Sequence, residues 1–341
     1  MEKKILILGC GISGATLARL FKEAGYYVEI REKGDIIGGM LSDSWNDDGK
    51  CYVSWNGAHI IHFSKETEDA EQFLKKHTKL SPFRHKVLCL GNNSSFTYWP
   101  INLTYKELYE YMFPGKSVVD EFVIPYSKKM WKNHLKVQME NFKDRPRFKE
   151  KNNQNQDFFE GERQYQPMEG YTNMIKDLIK DCKLSYNKPE DLNSLKKEIK
   201  NWDYIIVTSH IDSFFGYKFG KLQFRGLDFE FKTIESDENI LPASVVNLNR
   251  HPKYIRVAEL NQLQAKPNTS KKKILCFDFP SDKNRFYPVE TEKNYAKLKK
   301  YYEYALKFGN IKFCGRTADY KYKDIDDSIM DAMKLFNELK N

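Results

Sequence analysis

Two groups of residues in this chain stand at spacings that could do chemistry. Gly9, Gly11 and Gly14 make a G-x-G-x-x-G turn with Ser13 inside it, and the acid Glu32, followed by Lys33, lies a short way on. Glycines so placed let a backbone turn tightly and approach a pyrophosphate, and an acid at that distance can accept hydrogen bonds from a ribose. In the second group, WNGAHIIHF at 55–63, His59 and His62 sit in an apolar run beside Gly57, Ala58 and Ile60. Such a pair could belong to a metal site, to a proton relay or to a packed core. A zinc site would need cysteine or carboxylate companions, and none is found nearby.

The elements that must position the first group are legible in the pattern. Residues 5–8 read as a short buried strand, 15–24 as a helix closed by Gly25, and 27–31 as a second strand that ends at Glu32. Strand, glycine turn, helix, strand and acid follow in the order a dinucleotide site requires. The helix start supplies unpaired N–H groups and the positive end of a dipole for the phosphates. Residues 203–208, DYIIVT, are expected to return to the same sheet.

Further along, 83–90 and 95–99 read as a strand pair around the turn at 91–93, and 104–142 as mostly helical, with breaks at Pro114-Gly115 and near Pro125. The polar stretch KEKNNQNQD, 149–157, reads as a mobile loop. From 222 to 290 short strand patterns alternate with turns, which predicts a separate antiparallel sheet. Residues 325–339 carry apolar positions at helical spacing behind Asp324, a residue type suited to capping a helix start.

Composition narrows the class. The chain has 341 residues, is 40% apolar and 14% aromatic, and has room for two or three domains' worth of core. No apolar run approaches the ~18 residues of a membrane span, and the N-terminal run is too short for a secretory signal. The formal charge of +9 comes mostly from dispersed lysines, without a nucleic-acid motif, and reads as a solvated surface. Six separated cysteines form no C-x-x-C pair, and their use suggests a reducing cytoplasm.

The glycine fingerprint serves NAD and FAD alike. Beyond Glu32, however, EKGDIIGG ends in the doublet Gly38-Gly39, which resembles the signature of two-dinucleotide-type flavoproteins and favours FAD. NGAHIIHF then resembles the region of UDP-galactopyranose mutases that typically reads YGAHIFHT. Collinear matches follow: WPIN at 99–102, PYSKKMW at 125–131, MEGYT at 168–172, IDSFFGYKFGKLQFRGLDFE at 211–230, RFYPV at 285–289 and FCGRTADYKYKD at 313–324.

That resemblance implies an isomerase that interconverts the pyranose and furanose forms of UDP-galactose on reduced FAD, through a covalent bond between flavin N5 and the anomeric carbon. The same chemistry on UDP-N-acetylgalactosamine, UDP-arabinose or a dTDP-deoxysugar, and an amine-oxidase-type FAD oxidoreductase, are the alternatives. It implies a Rossmann-like FAD-binding α/β domain (1–80 with 200–221 and 305–341), a shortened helical insertion (102–148) and an antiparallel-sheet substrate domain (83–101 with 158–199 and 222–304).

By resemblance, His62 packs near N5 and acts with Arg145 and Arg256, whose planar guanidinium forks suit a diphosphate. Gly57, His59, Ile60, Arg316 and Asp324 lie along the flavin, with His59 more structural than catalytic. Tyr126 and Trp131 take the nucleotide end, Tyr287 and Tyr322 the phosphates, and Arg225 a place near the substrate. Phe158 stands where the family usually has a phosphate-binding tyrosine, and Ser209-His210 replace a common Gly-Pro. The short segment between WPIN and PYSKKMW leaves base identity and dimerisation open. The expected partners are a nucleoside-diphosphate sugar, an external flavin reductant and a second copy in a homodimer, with no nucleic acid, no metal and no membrane insertion.

Overall fold

A computed structural model describes residues 2–91, 96–136, 148–188 and 191–340. Its first layer is a five-stranded sheet in the order Lys183–Ser185, Tyr27–Arg31, Lys4–Leu8, Tyr204–Val207, Ile311–Phe313, every pair parallel. KILIL at its centre has four consecutive buried residues because both faces of a parallel sheet are covered. Ile5 and Ile7 point into one core with the helices Ile12–Glu23, Tyr171–Leu178 and Ile325–Leu339. Leu6 and Leu8 point into the opposite core with Phe214, Leu298 and Tyr301. Phe21 of the first helix meets Phe336 of the last edge-on at 5.0 Å, locking the two ends of the chain together.

The second layer is a seven-stranded sheet ordered Tyr287–Pro288, Phe224–Glu235, Lys272–Ser281, Arg256–Glu259, Val245–Asn247, Val87–Leu90, Phe96–Trp99. Its backbone is the long antiparallel pair that runs in register from Gly226 opposite Ser281 to Glu235 opposite Lys272. The sheet is not wholly antiparallel as expected: Val245–Asn247 lies parallel to Val87–Leu90. Those strands are far apart in the chain, so no hairpin constrains their direction. A smaller antiparallel sheet, Ile61–Phe63, Arg163–Pro167 and Leu80–Pro82, carries His62.

Several expectations are met, and others shift. Val87–Leu90 and Phe96–Trp99 pair antiparallel, although 92–95 lie outside the described residues. Leu103–Met112 is helical, but the chain does not break at Pro125. There a π-helical turn, Val119–Val123, passes directly into the helix Ile124–Trp131, and proline falls in a first turn that tolerates its missing N–H. The 149–157 stretch is tied down: Asn102 Nδ2 donates to the carbonyls of Glu150 and Asn153 at 3.0 and 2.8 Å, and Arg84 pairs with Asp157 at 2.8 Å. Lys183–Ser185, expected within the substrate domain, is instead the edge strand of the parallel sheet, and Tyr171–Leu178 packs on that sheet as well. Three residues, KLS, are too short to show a period.

Candidate active site

At the glycine turn, Gly9 adopts φ +100° and its N–H donates to the Arg31 carbonyl at 2.8 Å. Gly14 lies so close to the first strand that an added Cβ would stand 2.2 Å from the Gly9 carbonyl oxygen. Gly11 is the N-cap of the first helix, and no side chain caps it, so its leading N–H groups are left for a ligand. The doublet folds back against this turn: Gly38 N–H donates to the Cys10 carbonyl at 2.8 Å, and Gly39, at φ +58°, leaves 3.4 Å between an added Cβ and Gly11 Cα. Glu32 accepts from Cys10 N–H and Gly34 N–H, both at 2.9 Å, which fixes its carboxylate at the mouth of the turn with further lone pairs available. Lys33 is exposed beside it. Gly315, at φ +116°, brings the FCGRTADY turn within 3.0 Å, measured from an added Cβ, of Ser13 Oγ on the first helix.

From that turn a ladder of aromatic and charged groups leads to the second layer. The Arg316 guanidinium lies over both Tyr322 and Tyr287, 4.4 and 4.6 Å from their centroids, and the two rings stack at 6.1 Å. Tyr287 meets Trp131 edge-on at 6.4 Å, and Tyr126 packs in the same cluster. Arg256, on the strand Arg256–Glu259, faces Asp278 across the sheet. Its Nε donates to Asp278 Oδ2 at 2.7 Å, and its Nη2 forms an ion pair with the same oxygen at 2.5 Å. Burial opposes its charge, but Asp278 more than compensates and holds the guanidinium ionised. Burial pushes the Tyr126 phenol up to about 12, so it keeps its proton and can donate. Gly57 closes this end: an added Cβ would lie 2.9 Å from Phe229 and 3.4 Å from Asp278 Oδ2.

The two histidines diverge. Desolvation, with the charges of Arg256 and Arg316 nearby, pushes His59 down to about 4, so it is neutral. Its Nε2 has no partner among the described residues. Its backbone carbonyl accepts from Gln166 at 2.9 Å, and Ile60 beside it packs against the core under the long sheet. His62 is buried between carboxylates. Its Nδ1 is 2.5 Å from Glu162 Oε2, and its Nε2 is 3.8 Å from Asp324 Oδ2, while Asp324 Oδ1 accepts from Tyr322 Oη at 2.8 Å. Asp324 is the N-cap residue of the helix Ile325–Leu339, as its type suggested.

Thus His62, Asp324, Tyr322, Arg316, Tyr287, Trp131, Tyr126 and Arg256 come together, and Gly57 and His59 adjoin them. Arg145 lies outside the described residues. Arg225, opposite Tyr287 in the sheet, is 3% exposed; its Nε donates to the Met130 carbonyl at 2.7 Å and its Nη1 pairs with Asp282, bracing the helix end that holds Trp131, while its Nη2 has no partner among the described residues. Phe158 packs edge-on against His85 at 5.6 Å, in the core beneath Ala58 and Ile60.

Four contributors escaped the sequence reading. Asp278, a lone acid in the strand pattern KKILCFDF, was the most visible; His85, Lys129 and Glu162 gave no local signal. Lys129 Nζ donates to the carbonyls of Leu248, His251 and Tyr254 at 2.6, 2.9 and 2.7 Å, fastening the helix that ends at Trp131 to the loop before Arg256. Replacing Lys129 with methionine strands three carbonyls and should raise KM roughly tenfold with kcat nearly intact. Steady-state kinetics checks this, and an unchanged KM would show that the clamp does not set the pocket.

A dinucleotide fits what is present: an uncapped helix start, a glycine doublet without side chains opposite it, and two buried polar atoms, His59 Nε2 and Arg316 Nη2, without partners among the described residues. Gly9, Gly11, Gly14 and Glu32 suit its adenosine and pyrophosphate, and the Gly38-Gly39 doublet suits its close passage. Among the described residues no cluster of histidine, cysteine, aspartate and glutamate could hold a metal, and no helix is long and apolar enough to cross a membrane.

Fold and site together define a dinucleotide-binding α/β protein of the FAD type, with a cluster of arginine and tyrosine side chains where an adjoining sheet meets it. Residues 7–77 match the NAD(P)-binding Rossmann-like domain, and 121–322 match the family described as UDP-galactopyranose mutase. The chain belongs to the UDP-galactopyranose mutase family. It is 26% identical to the UDP-galactopyranose mutase of Mycoplasma genitalium, over 98% of this chain and 94% of that protein. It is also 26% identical to the dTDP-fucopyranose mutase of Escherichia coli, over 97% of each. A crystal structure of reduced UDP-galactopyranose mutase superposes with a TM-score of 0.73 at 13% identity, covering 99% of this chain and 95% of that one, which shows the shared fold.

Proposed function

We propose that this chain interconverts the pyranose and furanose forms of a nucleoside-diphosphate hexose, UDP-galactose, with reduced FAD bound. The observation that carries this reading is the unbroken ladder from Trp131 through Tyr287, Arg316 and Tyr322 to Asp324 and His62, flanked by the buried Arg256–Asp278 pair. Bound reduced FAD supplies a nucleophilic nitrogen for the anomeric carbon.

The protein's part is to hold and neutralise. Trp131 and Tyr126 receive the base. Arg256, with Arg145, takes the diphosphate, and a guanidinium already ionised by Asp278 stabilises a departing dianion without reorganising. Tyr287 donates to a phosphate oxygen, and Tyr322, whose hydroxyl donates to Asp324 at 2.8 Å while no substrate is bound, would turn that hydrogen to the phosphate when the substrate enters. With a phenylalanine at 158, one phosphate hydroxyl is missing, so the two arginines carry more of that charge. His62 and Asp324 border the face where sugar meets flavin.

The matching identity of the Escherichia coli dTDP-fucopyranose mutase supports a second reading, the same reaction on a dTDP-deoxysugar. Dithionite-reduced protein should convert UDP-galactofuranose to the pyranose, followed by chromatography, with dTDP-fucose and UDP-N-acetylgalactosamine in the same panel. Absence of turnover on every nucleotide sugar would refute both readings. Flavin reduction driven by an amine substrate without oxygen would point to the oxidoreductase class instead.

The division into FAD-binding, helical and sheet domains is part of this proposal, with the boundary moved so that 171–188 joins the FAD-binding domain. So are a cytoplasmic setting and an external reductant. A homodimer through the helix Leu103–Met112 is supported by Leu108, Tyr111 and Met112, which are exposed on it.

A further inference from the structure

We propose that Glu162 is a positioning residue that forms a dyad with His62, holding the imidazole protonated and turning its Nε2–H toward Asp324 and the reacting face. The inference rests on the reading of His62 as part of the active site. The geometry is specific. His62 lies on Ile61–Phe63, opposite Gln164 of Arg163–Pro167, so the turn that precedes this partner strand passes directly beside the imidazole. From that turn Glu162 reaches Nδ1 at 2.5 Å, and Phe159 covers one face of the ring, with centroids 3.8 Å apart and planes 15° apart. A carboxylate at Nδ1 requires a proton there, which fixes the orientation of the ring and leaves Nε2 as the end that meets Asp324 at 3.8 Å.

The charges around the ring agree on the outcome. Burial works against an imidazolium, but the Glu162 hydrogen bond and the carboxylates of Asp324 and Asp326, at the start of the last helix, outweigh it and raise the His62 pKa above its ordinary value. On the remaining side His85 contributes no charge, since burial and the charge of Arg256 push it down to about 3. Tyr322 stays a neutral donor to Asp324 because burial and that carboxylate raise its pKa. The sign follows: the imidazolium is present below the raised pKa and is lost as pH rises through it. While present, it is a fixed cation with a proton to offer at Nε2, and beside a bound reduced flavin it would favour negative charge on the isoalloxazine.

Glu162→Gln keeps the size and a hydrogen-bonding group but removes the charge. In NMR of histidine-labelled flavin-bound protein, with His62→Ala used to assign the signal, the His62 titration should move to lower pH in the glutamine variant. Flavin content should be unchanged. In the mutase assay the alkaline limb should move the same way, so that turnover at a pH on that limb falls roughly tenfold, the change produced by one lost neighbouring charge. Glu160→Gln, a nearby acid bonded to Asn153 instead, should leave both profiles in place. Glu162→Asp should restore them in part. A His62 titration unchanged in Glu162→Gln overturns the dyad while leaving the mutase reading intact. Wild-type protein without turnover removes the mutase reading but leaves the NMR titration to decide the dyad.

Discussion

Replacing Arg256 with lysine should lower kcat/KM for the nucleotide sugar ~100-fold, about 2.7 kcal/mol of transition-state stabilisation, with the protein still folded and flavin-loaded. Asp278 is wholly buried and directly opposite Arg256 in the sheet. Two guanidinium nitrogens, Nε and Nη2, are spent on one carboxylate oxygen, which leaves Nη1 as the end of a rigid plane aimed from the pair. Lysine retains the charge opposite Asp278 but has a single ammonium and no plane, so it can satisfy the carboxylate or the diphosphate, not both in one geometry. Alanine is a poorer probe, because a buried carboxylate without its partner costs about 3–5 kcal/mol of stability and would obscure the kinetic effect. Combining Arg256→Ala with Asp278→Asn removes that charge: this variant should melt near wild type yet turn over as slowly as the single alanine variant. Wild-type kcat/KM in Arg256→Lys would mean that the pair is only a brace between strands.

Gly14→Ala should cost at least ~3 kcal/mol and weaken flavin binding about 100-fold. The methyl group would arrive 2.2 Å from the Gly9 carbonyl oxygen and 3.3 Å from Ile7 Cγ2, both in the first strand and its turn. A carbonyl in a turn already at φ +100° has little freedom to retreat, so the helix must lift off the sheet. Lifting it moves the uncapped N–H groups away from the pyrophosphate and loosens the contact between Phe21 and Phe336. Gly25→Ala is the control. It carries a positive φ of +82° with nothing within 4 Å, so it should cost about 1 kcal/mol in strain and leave flavin content unaltered. The ratio of flavin absorbance to protein after purification, with the melting temperature, separates the two. Full flavin content in Gly14→Ala would contradict the packing role assigned to the third glycine.

These two sites differ in how they could be read. The glycine turn is a local device: each residue's task depends on neighbours within one strand, turn and helix, and so its spacing carried the whole meaning. The last helix behaves similarly, since apolar spacing and an acid at its start are properties of one segment, and Asp324 took the N-cap position. His62 is different. Its sequence neighbours could not distinguish a metal ligand from a core residue, because the deciding groups, Glu162, Asp324 and Phe159, come from other parts of the chain. Arg225 is similar: that its Nε and Nη1 brace Met130 and Asp282 while Nη2 is left without a partner among the described residues is arranged only by the folded sheet.

By itself, then, the sequence determined the dinucleotide turn, the alternation of strands and helices, the order of the motifs that mark the family, and the residue types available to bind a diphosphate. Tertiary structure decided which of those types meet. Asp278 faces Arg256 through a strand register that no single strand encodes, and Lys129 reaches three carbonyls on a distant loop. Lys183–Ser185 joins the parallel sheet although three residues show no period. The physical reason is range: propensity and spacing act within about one turn or one strand, whereas a site's charge, orientation and protonation are set by groups that folding brings in from across the chain.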